Sequence, residues 1–368
     1  MPPEKTPMAV RAHTRPRCVT MNDPLSSVIR KSESPSRRMI QIAFAVGVIL
    51  TAIQFHRFVV SISQTAPEVQ ALRPAAVDAW LPISSFMSLV YLVKTGIANT
   101  VHPAGLVLFT LILLLAFSLR RGFCSWVCPI GTLSEYAHLA GRYLFKRNAH
   151  MPKPLDIVLR SIKYLLLALF VVLICRMTAE DLRAFIYGPY NRICDVKMYA
   201  MFASPSLTTL TVVTVLGILS LVFKNFWCRY LCPYGALLGL ASMPSPTAVR
   251  RDPARCTGCG VCTAACPNNI RVHRVTAVRS PECTACYGCV SACPQAGALR
   301  MGLPRPKKAM SLSLYGLITL AAFVFVPQAF RAFGYWDTDT PYDLYRRLVA
   351  DLAAIGHPRT SGRLSGPE

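Results

Sequence analysis

Apolar stretches alternate with polar and basic segments along most of the chain. The apolar stretches lie at 39–60, 103–119, 156–175, 206–223 and 309–330. Each is close to the ~20 apolar residues that an α-helix needs to cross a bilayer. The pattern therefore predicts a polytopic α-helical membrane protein with about five transmembrane helices.

Two further segments follow a different pattern. The stretch 81–98 is apolar, but Pro82, Lys94 and Gly96 interrupt it. Such interruptions are costly in lipid, so we expect a re-entrant or interfacial helix there. Residues 1–38 are polar, rich in Pro, Ser and Arg, and contain no apolar run typical of a signal peptide. This composition predicts a disordered cytoplasmic tail.

Composition agrees with a membrane protein. The chain has 368 residues, of which 53% are hydrophobic, and its mean hydropathy is +0.40. The net charge of +23, taken alone, is compatible with a nucleic-acid partner. However, the basic residues concentrate between the apolar stretches, as they do in the cytoplasmic loops of membrane proteins. We therefore expect membrane lipid, and no nucleic acid, around this chain.

The distribution of charge predicts the orientation. The segments 120–155 and 224–308 are strongly basic, whereas 61–101 and 177–205 balance basic with acidic residues. The positive-inside rule puts the basic segments on the cytoplasmic side and the balanced ones outside. Five spans then leave 331–368 as a periplasmic C-terminal tail. This describes a multi-pass protein of the bacterial cytoplasmic (inner) membrane.

An internal repeat divides the membrane region. A shift of 104 positions superposes Cys124 on Cys228 and Cys128 on Cys232, with the proline after each second cysteine. The repeat predicts two parallel halves, each ending in C-x3-C-P. The region 39–223 contains four helices and the first C-x3-C-P. The region 224–248 contains the second and an interfacial helix.

A second cysteine pattern predicts an inserted α+β ferredoxin-like module at 249–308, before the helix at 309–330. Segments 256–267 and 283–294 each read C-x2-C-x2-C-x3-C-P. This is the spacing of bacterial two-cluster ferredoxins, in which the fourth cysteine of each run ligates the other cluster. The two predicted [4Fe-4S] ligand sets are Cys256, Cys259, Cys262 and Cys293, and Cys283, Cys286, Cys289 and Cys266.

Other interpretations of these eight cysteines fit less well. A zinc ribbon needs only two C-x2-C pairs and leaves half of the cysteines unused. Thiolate ligands also require a reducing compartment, in agreement with the cytoplasmic side. Gly258, Gly260 and Gly288 are expected to let the backbone approach the clusters closely.

The C-x3-C-P pairs indicate further redox or metal chemistry. Cysteines four residues apart lie on one face of a helix. Helices that start near Pro129 and Pro233 would put their positive ends beside the second cysteines and lower the thiol pKa. We expect one shared site for a soft metal such as Cu(I), or a dithiol relay. The alternative is buried cysteines that pack beside Trp126 and Tyr230. The members of this site are Cys124, Cys128, Cys228 and Cys232.

Several other residues have alternative interpretations. His56 and His102 lie near the outer ends of spans, where facing histidines are able to ligate a haem. Two histidines without a surrounding motif are more often hydrogen-bonded packing residues, so haem is not favoured. His138 is expected to face solvent. Cys175 and Cys194 would be able to form a disulfide in an oxidising compartment.

Paired C-x3-C-P motifs after membrane helices, followed by a two-cluster ferredoxin insert, resemble the NapH/NosR/CcoG family of membrane-bound polyferredoxins. The resemblance covers roughly residues 40–330, and the order of parts is nearest to the NapH and YccM-like members. The chain is expected to lack the flavin-binding domain of NosR and the immunoglobulin-like domain of CcoG.

The resemblance implies electron transfer between the quinol pool or a cytoplasmic donor and a respiratory or periplasmic redox partner. The protein would then be an electron-transfer component rather than a stand-alone enzyme. The alternative is an assembly factor for metalloenzymes that acts as a copper reductase, with the C-x3-C-P cysteines holding the substrate ion. A sensor that responds to cluster loss is disfavoured, because the sequence has no recognisable output motif.

Overall fold

The computed structural model describes residues 35–64, 70–145, 151–304 and 309–356. The predicted tail at 1–38 lies almost wholly outside this part of the chain. The first half of the membrane part contains α1 (Pro35–Ser63), a 3-10 turn (Ala75–Trp80), α2 (Pro82–Thr95), α3 (Pro103–Leu119), the one-turn α4 (Phe123–Trp126) and α5 (Pro129–Phe145). The second half contains α6 (Lys153–Arg176), α7 (Ala179–Tyr187), α8 (Pro189–Arg192), α9 (Cys194–Ala203), α10 (Leu207–Val222), a π-helical turn (Trp227–Leu231) and α11 (Pro233–Ala241).

The remaining elements belong to the cysteine-rich module and to the C-terminal segment. The module contains β1 (Ala248–Arg251), α12 (Val261–Ala264), a 3-10 turn (Val272–Arg274), β2 (Ala277–Val278), α13 (Gly288–Ser291) and β3 (Leu299–Gly302). It is followed by α14 (Leu312–Ala332) and α15 (Tyr342–Ala350).

Three helices are long and apolar enough to cross a membrane, namely Pro35–Ser63, Pro154–Arg176 and Leu312–Ala332. Only 11%, 11% and 17% of their most apolar windows are buried inside the protein. Apolar side chains in such numbers are stable on an outer surface only where lipid covers them. The predictions of helices at 39–60, 156–175 and 309–330 are confirmed, and the chain is a membrane protein.

The other two predicted spans form shorter helices. The helix α3 occupies 103–119 as predicted, with Pro103 at its first turn, where the missing N–H costs nothing. Its 17 residues extend about 25 Å, and most of its side chains are buried against other helices. The helix α10 has 16 residues and meets α9 at a bend of 77°. This bent pair is apolar enough to form a fourth span.

The stretch 81–98 contains α2, which ends at Gly96 in a left-handed conformation with φ 75°. Ser84, Ser88 and Tyr91 of α2 are buried, and the Ser84 hydroxyl donates a 2.8 Å hydrogen bond to Asn191 Oδ1. With 14 residues, α2 is too short to cross the hydrocarbon core of about 30 Å. A re-entrant or interfacial position for α2 stays a prediction.

A glycine permits the close packing of α5 against α10. A Cβ atom at Gly141 would lie 2.0 Å from the carbonyl oxygen of Leu221. No side chain is tolerated at that distance, so the two backbones touch directly at this position. The contact joins the helix that follows the first C-x3-C-P to the helix that precedes the second.

The cysteine-rich module is built on a three-stranded antiparallel sheet with the order β2-β1-β3. Val249 in the central strand pairs with Val278 on one side and Met301 on the other. All three side chains are buried in a core that also contains Trp126 and Tyr315 of the membrane part. The module and the membrane part therefore share one continuous core, which fixes the module on the membrane helices.

The C-terminal segment packs against the opposite end of the bundle. Tyr345 of α15 is 1% exposed, and its ring makes an edge-to-face contact with Phe58 of α1 at 5.5 Å. Its hydroxyl donates to Asp195 Oδ2 at 3.0 Å. Part of the predicted tail at 331–368 is thus a helix held in place by packing.

Candidate functional site

The second predicted ligand set surrounds one small cavity in the module. Cys266, from the first motif, lines this cavity together with Cys283, Cys286 and Cys289 of the second motif. The rest of the wall is mostly apolar and includes Val249, Ile270, Val272, Val278 and Ala285. The fold therefore brings the crossing cysteine to the three cysteines that the ferredoxin rule predicts as its partners.

The first predicted set also comes together. Burial and the charges of Cys293, Cys259 and Cys256 raise the pKa of Cys262. The pKa of Cys293 is likewise raised by burial and by Cys259 and Cys256. Charges affect a thiol in this way only at short range. The four thiols thus lie within electrostatic range of one another, and their assignment to one cluster stays a prediction.

The chemistry of both sets fits an iron-sulfur cluster. Burial and the neighbouring Cys286 raise the pKa of Cys266 to about 12, although the amides of Ile270 and Asn268 donate to its sulfur. Four crowded thiols of this kind lose their protons readily only beside a strong positive charge, which the iron ions of a cluster supply. Amide N–H groups directed at sulfur are also the usual means of tuning such a cluster.

The backbone takes a left-handed path at two positions in each cysteine motif. Gly258 and Gly260 have φ angles of 72° and 77°. The equivalent positions of the second motif are Ala285 and Tyr287, with φ angles of 49° and 62°. Gly288 begins α13, and a Cβ atom there would lie 3.7 Å from Cys286 Sγ. The close approach of these glycines to the clusters stays a prediction. The second motif thus adopts a glycine-like path without glycine, held by the buried core around Ala285 and Tyr287.

The C-x3-C-P pairs lie where the membrane part meets the module. Helices begin at Pro129 and Pro233, as predicted. The sulfur of Cys232 accepts a 3.2 Å hydrogen bond from the amide of Gly235 in the first turn of α11. The sulfur of Cys128 accepts from Gly131 and Ile130 in the same way.

The predicted lowering of these thiol pKa values was wrong. Burial and the charge of Cys124 raise the pKa of Cys128 to about 12, and the amides of α5 offset only part of this shift. Burial also raises the pKa of Cys232. Desolvation outweighs the helix ends here, so these thiols are not free, reactive thiolates.

An arginine connects the two C-x3-C-P pairs. Arg121 Nε donates a 3.3 Å hydrogen bond to Cys124 Sγ, and its Nη2 donates at 3.4 Å to the carbonyl oxygen of Cys228. The side chain is 3% exposed and lies 3.8 Å from Glu282 Oε2. Arg121 thus places one buried positive charge beside a cysteine of each pair.

Hydrogen bonds from the segment 120–126, which follows α3 and includes α4, hold the second motif of the module. Arg120 Nη2 donates at 2.6 Å to the carbonyl oxygen of Ser280. Ser125 Oγ donates at 2.6 Å to that of Thr284, and Trp126 Nε1 at 3.0 Å to that of Ala285. The two segments that carry Cys124 and Cys283 are therefore bonded directly to each other.

Sequence reasoning missed the ion pairs that reinforce this junction. Glu282 accepts hydrogen bonds from Lys163 Nζ at 2.7 and 2.8 Å and from the Tyr164 hydroxyl at 3.0 Å. Asp156 pairs with Arg229 through bonds of 2.9 and 3.0 Å. The signal in the sequence was an acidic residue next to a cluster cysteine and a single acidic residue at the start of a span.

The positions of the remaining histidines and cysteines bear on several minor predictions. His138 is buried, with 7% exposed, so its predicted solvent-facing position was wrong. Cys175 is exposed and Cys194 half-buried, both as free thiols, so the structure does not join them in a disulfide. Cys194 lies instead 3.7 Å from His102 Nε2. His56 is hydrogen-bonded to the Tyr199 hydroxyl at 2.6 Å.

His102 belongs to a buried polar network near the outer helix ends. Its Nδ1 lies 3.0 Å from Asp78 Oδ1 and its Nε2 lies 2.7 Å from the carbonyl oxygen of Asn191. Arg73 pairs with Asp78 and, at 2.7 Å, with Asp195. Both histidines are thus hydrogen-bonded, as predicted for packing residues.

Comparison with known families assigns iron-sulfur domains to the same segments. The family described as a 4Fe-4S binding domain matches twice, at 101–152 and 206–251, and each match contains one C-x3-C-P. The family described as a 4Fe-4S dicluster domain matches 248–294. No solved structure matches the chain.

Relatives match over much of the length. YccM of Escherichia coli (strain K12), which carries the name of an electron transport protein, is 40% identical over 327 residues, covering 87% of this chain and 91% of YccM. The ferredoxin-type protein NapH of the same organism is 31% identical over 183 residues, covering 49% of this chain and 58% of NapH. NirI of Paracoccus denitrificans (strain Pd 1222) is 32% identical over 148 residues, covering 40% of this chain and 21% of NirI. The chain therefore belongs to the family of membrane-bound, ferredoxin-type 4Fe-4S electron transport proteins that includes YccM and NapH.

Proposed function

We propose that the protein carries single electrons between a donor at the cysteine-rich module and an acceptor in or across the membrane. Two [4Fe-4S] clusters would be held by the crossed sets, the first by Cys256, Cys259, Cys262 and Cys293 and the second by Cys266, Cys283, Cys286 and Cys289. Such clusters supply reversible one-electron chemistry when bound. The chain's own residues would hold them, exclude water from them and direct amide N–H groups at their sulfurs.

The observation that carries this proposal is the bonded junction between the second set and the membrane part. The hydrogen bonds from the Ser125 hydroxyl to Thr284 and from the Trp126 indole to Ala285 join side chains that follow Cys124 to the backbone that follows Cys283. An electron carrier needs a fixed, short contact between its redox sites. If the two parts moved independently, each transfer would depend on their coming together first.

The distribution of charge supports a cytoplasmic position for the module. The segment 224–308 has twelve basic residues and two acidic ones, which favours the cytoplasmic side of a bacterial inner membrane. A quinone in the bilayer, or a respiratory or periplasmic redox protein, would then exchange electrons at the membrane part. The ferredoxin-type names of NapH and of the methylamine utilization protein MauN favour partner proteins of this kind.

The experiment uses the full chain, purified without oxygen, in lipid nanodiscs containing decyl-ubiquinone. Photoreduced deazaflavin donates electrons from solution, and the absorbances of the clusters and the quinone are followed together. We expect the clusters to bleach first and the quinone to follow. Cys289→Ala should abolish the second phase, because it removes a proposed ligand of the cluster at the junction.

Two controls define the result. Nanodiscs without protein give the direct reaction of deazaflavin with quinone, and Cys175→Ala removes an exposed cysteine outside every motif. Quinone reduction at the wild-type rate in Cys289→Ala would contradict electron transfer through the second cluster. Cluster bleaching without any quinone reduction would exclude a quinone acceptor and leave a partner protein.

A second candidate function has support in one cavity. Cys124 and Cys228 line a polar cavity of about 150 Å³, whose wall also includes Cys266 and Cys286. A copper ion held by Cys124 and Cys228 would lie beside the second ferredoxin site, as a metal reductase requires. Copper-dependent oxidation of the reduced protein would favour this function over electron transfer to quinone.

A further inference from the structure

The two predicted ligand sets of the module differ in what covers them. Hydrogen bonds from the segment 120–126, from α6 and from the π-helical turn reach Pro267 and residues 280–285. Pro267 directly follows Cys266, and the segment 280–285 contains Cys283. The second set is therefore the one that lies against the membrane part.

The first set is the more exposed of the two. Thr257 and Gly258, which lie between its first two cysteines, are both exposed. Their equivalents in the second motif are Thr284, which is half-buried, and Ala285, which is buried. A protein in solution can therefore approach the first set more closely than the second.

Arg255 connects the two segments that supply the first set. It directly precedes Cys256, and its guanidinium packs on Gly297, four residues beyond Cys293. A Cβ atom at Gly297 would lie 2.6 Å from Arg255 Nη1, and the φ angle of 75° there also favours glycine. The Arg255 side chain is nevertheless 64% exposed. The fold thus holds a positive charge at the surface beside the first set.

Two more arginines lie close to the same set. His273 Nδ1 lies 2.7 Å from the hydroxyl oxygen of Thr263, which directly follows a cysteine of the first set. This bond holds the 3-10 turn Val272–Arg274 beside the first motif. Arg271, which precedes the turn, and Arg274, which ends it, are both exposed. We call Arg255, Arg271 and Arg274 the arginine surface.

Acidic residues do little to neutralise this surface. The acidic residues of the segment 249–304 are Asp252 and Glu282. Glu282 is buried at the junction, where it is paired with Lys163 at 2.7 Å. Asp252 lies 3.6 Å from Arg255, and both side chains are exposed, so their attraction is weak. The arginine surface therefore keeps a net positive charge.

We propose that the arginine surface docks an acidic protein that carries single electrons and delivers them to the first set. The proposal rests on the proposed electron-transfer function and names the class of its donor. Guanidinium groups bind carboxylates through paired hydrogen bonds, and opposite charge speeds the encounter of two proteins. In each transfer the donor loses one electron and the cluster held by the first set gains it. No bond is broken, and no proton is transferred.

An anionic bilayer is the other partner that such a charge attracts. However, the segments bonded to the membrane part are those of the second set, whereas the arginine surface belongs to the first. Their separation favours a protein that arrives from solution.

The test measures binding of an acidic flavodoxin, whose flavin carries single electrons, to the full chain in nanodiscs of neutral lipid. The variant Arg255→Gln, Arg271→Gln, Arg274→Gln should bind about tenfold more weakly at low salt. The wild type and this variant should bind alike at about 1 M salt, where the screening length is about 3 Å. The rate at which reduced flavodoxin bleaches the clusters should fall in parallel. Iron content and reduction by deazaflavin should stay unchanged, because every cysteine is retained.

Arg279→Gln is the matched control for the single variant Arg274→Gln. Arg279 is also exposed, but it directly precedes Ser280, whose carbonyl oxygen is bonded to Arg120 at the junction. We expect Arg274→Gln to weaken flavodoxin binding several-fold and Arg279→Gln to leave it unchanged. Equal losses in these two variants, or wild-type binding by the triple variant, would overturn the proposal.

Nanodiscs that contain phosphatidylglycerol test the lipid alternative. If this lipid raises the temperature at which the wild type loses cluster absorbance, but not that of the triple variant, the arginine surface binds lipid and the proposal fails. Deazaflavin needs no docking, so quinone reduction after deazaflavin would still support the proposed function in that case. Flavodoxin that docks on the arginines and bleaches the clusters without quinone reduction would support the docking surface and contradict the quinone acceptor.

Discussion

The hydroxyl of Ser125 donates a 2.6 Å hydrogen bond to the carbonyl oxygen of Thr284. Each of these residues directly follows a cysteine of a proposed redox site, Cys124 on one side and Cys283 on the other. The bond is therefore a direct hydrogen-bonded link between the two sites. It also ties the module to the membrane part at the point where an electron would cross.

Removing this hydroxyl should slow transfer more than it weakens the fold. Ser125→Ala leaves one buried carbonyl without its donor, at a cost of about 1–2 kcal/mol. We expect unchanged iron content and a several-fold slower quinone phase in the nanodisc experiment. Ser118→Ala is the matched control, because the Ser118 hydroxyl donates within α3, to the carbonyl oxygen of Leu114 at 2.8 Å. Equal rates in the two variants would show that the link does not carry the electron.

Arg120 should set the potential of the second ferredoxin cluster. It is 1% exposed, and no ion pair joins it to an acidic residue in the described part of the chain. Burial raises the pKa of the Cys283 thiol, and the charge and hydrogen bond of Arg120 act against this rise. A buried positive charge beside a ligand favours the reduced, more negative cluster.

Arg120→Gln should therefore lower the reduction potential of one cluster and leave the other unchanged. A tenfold loss in the one-electron equilibrium constant corresponds to about 59 mV, and we expect a shift of at least this order in an EPR redox titration. Arg255→Gln, at an exposed position (64% of the side chain), should leave both potentials unchanged. An unchanged or raised potential in Arg120→Gln would contradict this role.

The pair between Lys163 and Glu282 should fix the module on the bundle. Both side chains are buried, with 0% and 8% exposed. Glu282→Gln leaves the lysine charge without its partner, and breaking a buried pair in this way costs about 3–5 kcal/mol. We expect the temperature at which cluster absorbance is lost to fall clearly.

The double variant Glu282→Gln, Lys163→Met should recover part of this loss, because the lysine charge is removed while Arg121, 3.8 Å from Glu282 in the wild type, still loses its acidic neighbour. Asp252→Asn removes an exposed partner of Arg255 and should change stability by less than about 1 kcal/mol. If the single and double variants of the buried pair lose their cluster absorbance at the same temperature, the pair does not fix the module.

His102 should be protonated at neutral pH. Its two ring nitrogens each face an acceptor, the Asp78 carboxylate and the Asn191 carbonyl, and the Arg73 guanidinium, which is paired with Asp78, lies 3.3 Å from Nδ1. Burial lowers the pKa of His102, but Asp78 more than offsets this and leaves it well above the ordinary value. A raised pKa stabilises the fold fully below the unfolded value of about 6.5, and the stabilisation declines as pH rises towards the folded value.

The difference in melting temperature between the wild type and His102→Gln should therefore be largest below about pH 6.5 and shrink as the solution becomes alkaline. His56→Gln is the control, since His56 is exposed and bonded to Tyr199 alone among the described hydrogen bonds. A difference that grows with pH would contradict a protonated His102.

Patterns along the chain predicted those features that depend on local physics. The apolar stretch 103–119 has the same bounds as α3. The proline that ends each C-x3-C-P predicted the starts of α5 and α11, because proline is favoured at the first helical position. Cysteine spacing predicted which cysteines would come together in the module. These predictions need only the neighbours of a residue in sequence.

The remaining features depend on contacts between distant segments. Arg120 and Arg121 looked like ordinary loop charge until the fold placed them against carbonyl oxygens about 160 residues later in sequence. The pKa of Cys128 was predicted in the wrong direction because its burial arises from tertiary packing. The left-handed Ala285 and Tyr287 give no signal in sequence, since their core neighbours hold them in place.

The crossed ligand sets are the central claim, and one substitution tests them most directly. Cys266→Ala, in the full chain purified without oxygen, removes a cysteine of the first motif that lines the cavity of the second set. EPR of the reduced protein should show loss or conversion of the cluster assigned to Cys283, Cys286 and Cys289, with the other ferredoxin signal intact. Damage confined to the cluster assigned to Cys256, Cys259 and Cys262, or no change in either signal, would contradict the account.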